Sequence, residues 1–223
     1  MNAPEQGKAV HNRAALILVD LQNDFVEGGT LAVPDGHSVI PIANRLMTLF
    51  PLVVATQDWH PADHQSFASQ HPGMRPGDQF QLNGQPQTAW PDHCIQGSTG
   101  ASLVNALDLT SIDAVIQKGQ DRAVDSYSGF FDNGRLRETE LGELLRKNDI
   151  RTVFVMGLAT DYCVRFTALD AVREGFETIL ITDGCRGVEL SPGDVTKAIQ
   201  QMTGSGVQLI QSGDLYRAVD SGS

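Results

Sequence analysis

The chain is short of basic residues: 16 lysines and arginines stand against 27 aspartates and glutamates, a formal net charge of -11 at pH 7. Backbone phosphates would repel such a surface, so nucleic acid is not expected as a partner. Long apolar runs are also missing. None approaches the ~20 residues of a membrane span, so no membrane association is expected. The stretch Met1 to Arg13 is polar and lacks the apolar core of a signal peptide. Cysteine is scarce and odd in number, with Cys94, Cys163 and Cys185. Three thiols without an export signal do not make a disulfide framework; they fit a reducing cytosol, and a cytoplasmic location is the expectation. No Gly-x-Gly-x-x-Gly follows Asp20 and there is no Walker-type Gly-Lys-Ser/Thr, so a phosphate cradle is unsupported. Internal repeats and low-complexity tracts are absent too.

What is present fits a single α/β domain over 1–223, long enough for a sizeable core. Ala14 to Val19 is a continuous apolar run that reads as a strand buried on both faces and ended by Asp20. Further strands are predicted at Leu52 to Ala55, ending near Asp58; at Ala114 to Ile116, ending at Lys118; and at Thr152 to Met156, Thr178 to Ile181 and Val207 to Ile210. Helical spacing runs through Val39 to Phe50, Glu138 to Lys147, and Cys163 to about Glu174. Ser191 as N-cap and Pro192 at the first helical position start another helix. Strands alternating with helices predict a six-stranded, mostly parallel, Rossmann-like sheet with helices on both faces. Residues 59–111 break the rhythm with five prolines, four histidines and both tryptophans. A connection that long inside a compact domain is usually functional. The tail from Ser221 reads as frayed.

The β-branched run from Thr152 to Val155 breaks at Gly157, after which Thr160 can cap a helix carrying Cys163 in its first turn. Free N–H groups and the positive dipole end of a helix favour an anion there. A thiol so placed is expected to lean toward thiolate, the nucleophilic form. Asp20, Asp58, Lys118 and Cys163 all stand where strands stop, and carboxyl ends of strands border the ligand crevice of an open parallel sheet. Each alone is weak: an aspartate there often just forms a turn, and a lysine is usually a solvated end. Together they supply a nucleophile, a proton carrier and a steadying cation.

These residues also carry a resemblance. Asp20 in Val19-Asp20-Leu21-Gln22-Asn23-Asp24-Phe25, Lys118 in Gln117-Lys118-Gly119, and Cys163 in the stretch Gly157 to Val164 resemble the isochorismatase-like cysteine hydrolases. Gln57-Asp58-Trp59-His60-Pro61, Trp90-Pro91-Asp92-His93-Cys94 and Val124 to Ser128 resemble the motifs of one branch, the bacterial nicotinamidases, in that branch's order. The likeness runs from about Ala14 to about Gln211. It implies hydrolysis of nicotinamide to nicotinate and ammonia, as in NAD salvage, with pyrazinamide as a further substrate, through a thioester on Cys163. Asp20 would be the acid–base group, Lys118 the cation, and the backbone N–H groups of Ala159 and Cys163 the oxyanion hole, with a cis peptide at Leu158–Ala159. The same resemblance implies that Phe25, Trp90 and Tyr127 line the pocket; of the three, Tyr127 is as readily explained by core packing. The alternative is another amidase of the family, such as an N-carbamoyl-amine hydrolase, which keeps the Asp–Lys–Cys set without the histidines. Related hydrolases form dimers or larger assemblies, so a homo-oligomer is open.

Asp58 and His60 are two apart, so both side chains point the same way in extended chain. By resemblance, His93 closes a metal set with them. Two imidazoles and a carboxylate suit a divalent ion, zinc first, with iron or manganese as options. Without the resemblance, surface-loop histidines more often bind nothing. His64 and His71 are left outside this set. Cys185 reads as a small buried residue. Cys94 reads as a neighbour of a ligand, with thiolate ligation the lesser option.

Overall fold

A computed structural model describes residues 12–220. The frayed tail expected from Ser221 and nearly all of the polar start lie outside the described residues. Among the described residues eight strands form: β1 Ala14–Val19, β2 Leu52–Asp58, β3 Gln79–Leu82, β4 Gln85–Thr88, β5 Ala114–Lys118, β6 Thr152–Leu158, β7 Glu177–Arg186 and β8 Gln208–Ile210. The same residues also form five α-helices: α1 Val39–Met47, α2 Leu141–Lys147, α3 Arg165–Arg173, α4 Asp194–Gly204 and α5 Ser212–Asp220. Six strands make one sheet in the order β5-β2-β1-β6-β7-β8, and every neighbouring pair is parallel. The expected six-stranded sheet is thus observed, entirely rather than mostly parallel.

The apolar runs explain the layers. Every residue of β1 and β2 is buried, so the sheet is covered on both faces. Helices α1, α3 and α5 pack against β7. From β1 the chain winds outward through β2 to β5, then returns to the other side of β1 as β6. The β1–β6 boundary is therefore a topological switch point, where strand ends diverge and leave a crevice. Asp20 leaves one side of it and Ala159 to Cys163 leave the other. Register sets further neighbours side by side: Asp58 pairs with Lys118, and Val19 with Gly157.

Several boundaries differ from the sequence reading. Residues Ser191 to Asp194 form a turn in which the Asp194 N–H donates to the Ser191 carbonyl. Helix α4 starts only after Gly193, at φ 92°, so Ser191 is not its N-cap. Within the excursion, β3 and β4 form an antiparallel hairpin closed by Asn83 and Gly84, both at positive φ. That Asn-Gly pair is a strong hairpin signal. Isolated bridges His60–Ile95 and Phe67–Trp90 tie the excursion back over the strand ends.

Candidate active site

Lys118 ends β5 and is 2% exposed. Its Nζ lies 2.9 Å from Asp20 Oδ2, 2.5 Å from Asp58 Oδ1 and 3.5 Å from Cys163 Sγ, and donates to the Ser126 carbonyl at 3.0 Å. A buried ammonium is unfavourable alone; burial pulls its pKa down, but Asp20 and then Asp58 outweigh this and raise it well above the ordinary lysine value. For Asp58, burial favours the neutral acid, yet Lys118 and His60 together hold it well below the usual carboxylate range. Asp20 goes the other way: burial dominates, only partly offset by Lys118, and its pKa is raised. The two carboxylates sharing one lysine therefore have different proton affinities.

Cys163 departs from the sequence expectation. It sits in a π-helical turn, Thr160–Val164, that precedes α3. Thr160 is the first residue of that turn rather than its cap, and no side chain caps it. The thiol is pushed well above its ordinary pKa, because burial outweighs the pull of Lys118 and Asp20 adds a like charge. The resting group is a thiol, so it needs a base. Carboxylates stand close by: the sulfur and the carboxylate oxygens of Asp20 and Asp58 lie within 4.8 Å of one another. The Leu158–Ala159 peptide is cis, as the resemblance implies.

Asp58 also closes a second cluster. Its Oδ2 faces His60 Nε2 at 3.7 Å and His93 Nε2 at 3.9 Å. His60 Nδ1 lies 2.8 Å from the Gly119 carbonyl, and His93 Nδ1 lies 2.8 Å from the Pro91 carbonyl. A carbonyl only accepts, so Nδ1 carries a proton in both rings, and Nε2 is the ring atom turned to Asp58. The donor atoms of all three lie within 4.8 Å of one another, a group that could hold a metal ion. Burial and the adjacent His60 lower the His93 pKa to about 4, keeping it neutral. At His60, Asp58 outweighs burial and the pKa is raised.

Phe25, Trp90, Tyr127, Tyr162, Ala159 and Cys163 share one cavity, onto which Asp58 and His93 open. Trp90 and Tyr162 meet edge to face at 4.8 Å, and Trp90 Nε1 donates to the Tyr127 hydroxyl at 3.1 Å. A wider groove of about 710 Å³ runs outside β5, but neither Cys163 nor the Asp58–His60–His93 set lines it. The structure thus brings together Asp20, Asp58, His60, His93, Lys118 and Cys163, with Phe25, Trp90 and Tyr127 on the adjoining cavity. It adds four that the sequence reading passed over: Tyr162, one residue before Cys163; Asp125, on the cavity wall; Gln22, which bonds the Asp58 backbone at both N–H and carbonyl; and Thr56, bonded to Asp20. Thr56 stands two residues before Asp58 on β2, a spacing that puts both on one face.

The remaining candidates fall away from the cluster or beside it. His71 Nε2 is tied to the Gln65 carbonyl at 2.8 Å. The His64 ring lies 4.4 Å from that of His60, tilted by 42°, and its Nδ1 accepts the Ser66 N–H; with His60 and Asp125 it forms a second group whose donor atoms lie within 4.8 Å of one another. Cys185 lies in β7, with burial pushing its thiol up to about 12. Cys94 is buried, and its backbone N–H donates to Asp24 at 2.7 Å.

A parallel sheet whose switch point holds a buried cysteine, an acid–lysine pair and a two-histidine carboxylate set defines the class: a hydrolase of the α/β type. More particularly, the chain belongs to the isochorismatase-domain family, whose model matches residues 14–214. It is 53% identical to the nicotinamidase of Escherichia coli strain K12 over 204 residues, covering 90% of this chain and 95% of that one. The structure of an Acinetobacter baumanii nicotinamidase and pyrazinamidase superposes with a TM-score of 0.90 at 43% identity, covering 93% of this chain and all of that one. A pyrazinamidase of Pyrococcus horikoshii in complex with zinc matches with a TM-score of 0.73 at 37% identity, covering 89% and 99% of the two chains. No helix among the described residues is long and apolar enough to cross a membrane.

Proposed function

We propose that this chain hydrolyses nicotinamide to nicotinate and ammonia, and accepts pyrazinamide, with Asp20, Lys118 and Cys163 as the catalytic residues. The observation that carries the reading is the shared wall: Asp58 and His93 border the same cavity as Cys163. An amidase needs only the acid, lysine and cysteine. The histidine pair beside them suits a substrate whose ring bears a metal-seeking nitrogen, as the pyridine of nicotinamide does, and an N-carbamoyl-amine has no such atom. The likeness to the Escherichia coli nicotinamidase supports the same substrate.

In this reading Asp20 takes the Cys163 proton, and the sulfur attacks the carboxamide carbon. The backbone N–H groups of Ala159 and Cys163 hold the developing oxyanion, worth roughly 3–4 kcal/mol per donor where such holes have been dissected. Asp20 returns the proton to departing ammonia, then activates the water that cleaves the thioester. Lys118 balances the negative charge that moves between Asp20 and the sulfur. Phe25, Trp90 and Tyr127 clasp the ring. Asp58, His60 and His93 would hold a divalent ion, zinc first, and when bound it supplies a Lewis acid that fixes the ring nitrogen.

An ammonia-release assay with nicotinamide, run with and without chelator, tests the whole reading. Cys163→Ala should lower turnover by at least about 10³-fold while metal and nicotinamide still bind. Wild-type turnover in that variant would sink the cysteine mechanism.

A further inference from the structure

We propose that Thr56 is a positioning residue that decides which oxygen of Asp20 carries the proton. This rests on the role given to Asp20 and Cys163 above. Asp20 leaves β1 at φ 50°, in the left-handed region, and is fully buried. Thr56, also fully buried, uses both halves of its hydroxyl on that one residue. The O–H donates to Asp20 Oδ1 at 2.6 Å, and the same oxygen accepts the Asp20 N–H at 3.2 Å. Oδ1 is thereby tied, while Oδ2 faces Lys118 Nζ at 2.9 Å.

The consequence is directional. When the Cys163 S–H bond breaks, its electron pair stays on sulfur and the proton forms an O–H bond to Oδ2. Oδ1 keeps its hydrogen bond throughout. A hydrogen bond from a hydroxyl to a carboxylate is short and strong, and here no solvent competes for it. Without the Thr56 hydroxyl, Oδ1 loses this donor, and the carboxylate plane is held only from the Oδ2 side by Lys118, so it turns away from the orientation that receives the proton. The loss of one such bond corresponds to a rate decrease of about 10- to 100-fold.

The Thr56 methyl has a separate neighbour, Gly129, so hydroxyl and methyl can be tested apart. Thr56→Val keeps the methyl and removes the hydroxyl; Thr56→Ser does the reverse. Two rates are measured on the metal-loaded protein: nicotinamide turnover, and alkylation of Cys163 by iodoacetamide without substrate, followed by mass spectrometry. T56V should slow both kcat and Cys163 alkylation by about 10- to 100-fold, with KM and metal content within about 2-fold of wild type. T56S should restore both rates to within about 3-fold. Alkylation of T56V at the wild-type rate overturns the proposal, as does T56S proving as slow as T56V. If T56V does not fold, Thr56→Ala removes the same hydroxyl, and the comparison of T56A with T56S decides. If the substrate assignment fails instead, the wild type releases no ammonia from nicotinamide while the alkylation contrast persists.

Discussion

Replacing Lys118 by methionine should destabilise this protein far more than a typical substitution. The side chain is close in volume, so little packing is lost, but two carboxylates lose their shared cation. Asp20 and Asp58 are 0% and 4% exposed, and the ammonium stands 2.9 Å from one and 2.5 Å from the other. Breaking a buried ion pair by removing one partner costs about 3–5 kcal/mol, because an uncompensated charge stays behind. For a chain of this size each kcal/mol lowers the melting temperature by roughly 2–4 °C, so the expected drop is ~6–20 °C. The pH can be chosen from the direction of the shifts. The raised Lys118 pKa contributes stability that is complete below the unfolded lysine value and is lost only as pH rises through the folded one. The lowered Asp58 pKa contributes stability that is complete above the unfolded aspartate value and is lost as pH falls through the folded one. Both are therefore in force at pH 7. Calorimetry at that pH, with chelator so that no ion replaces the missing charge, measures the difference. Adding Asp20→Asn to Lys118→Met should recover part of the loss, since one buried charge goes with it. A K118M protein melting within about 2 °C of wild type would refute the electrostatic account.

His60→Ala should lose metal and raise KM for nicotinamide, as measured by metal analysis after dialysis and by steady-state kinetics; full activity in a metal-free protein would remove the ion from the mechanism. Gly119→Ala should weaken metal binding by about 10- to 100-fold, the usual cost of disturbing the group that orients a ligand. Gly119 sits at φ 69°, its carbonyl accepts from His60, and a Cβ there would collide with the His60 ring. Competition with a chromophoric chelator reads that affinity, and an unchanged value would mean that the carbonyl does not set the ring.

The strands were legible because buried parallel strands leave uninterrupted apolar runs, as Ala14 to Val19 does. The residues just past those runs were legible for the same reason, since the crevice lies at carboxyl ends. What escaped was of two kinds. The β3–β4 hairpin is largely solvent-facing, and its residues Gln79 to Thr88 carry few apolar side chains to mark a period. Thr56 escaped because a threonine in a strand is ordinary by composition; only its hydrogen bonds distinguish it. The ionisation of Cys163 is not set by local signals alone. A helix start favours thiolate, but here burial is the larger effect, and it depends on the elements that close over the sulfur.

Asp58 belongs to both halves of the site, with Oδ1 on Lys118 and Oδ2 toward His60 and His93. Two functions that would otherwise be independent thus draw on one pair of oxygens. Any ligand taken through Oδ2 withdraws electron density from the oxygen that Lys118 holds, and any change in the charge around Lys118 returns to the histidine side. Such an influence is reciprocal by thermodynamic necessity: if loading the histidine side alters the proton affinity of the Asp20–Lys118–Cys163 group by some factor, that group's protonation alters loading by the same factor. The carboxylate is therefore a junction, and the two halves of the site cannot be tuned separately by changing residues on one side of it.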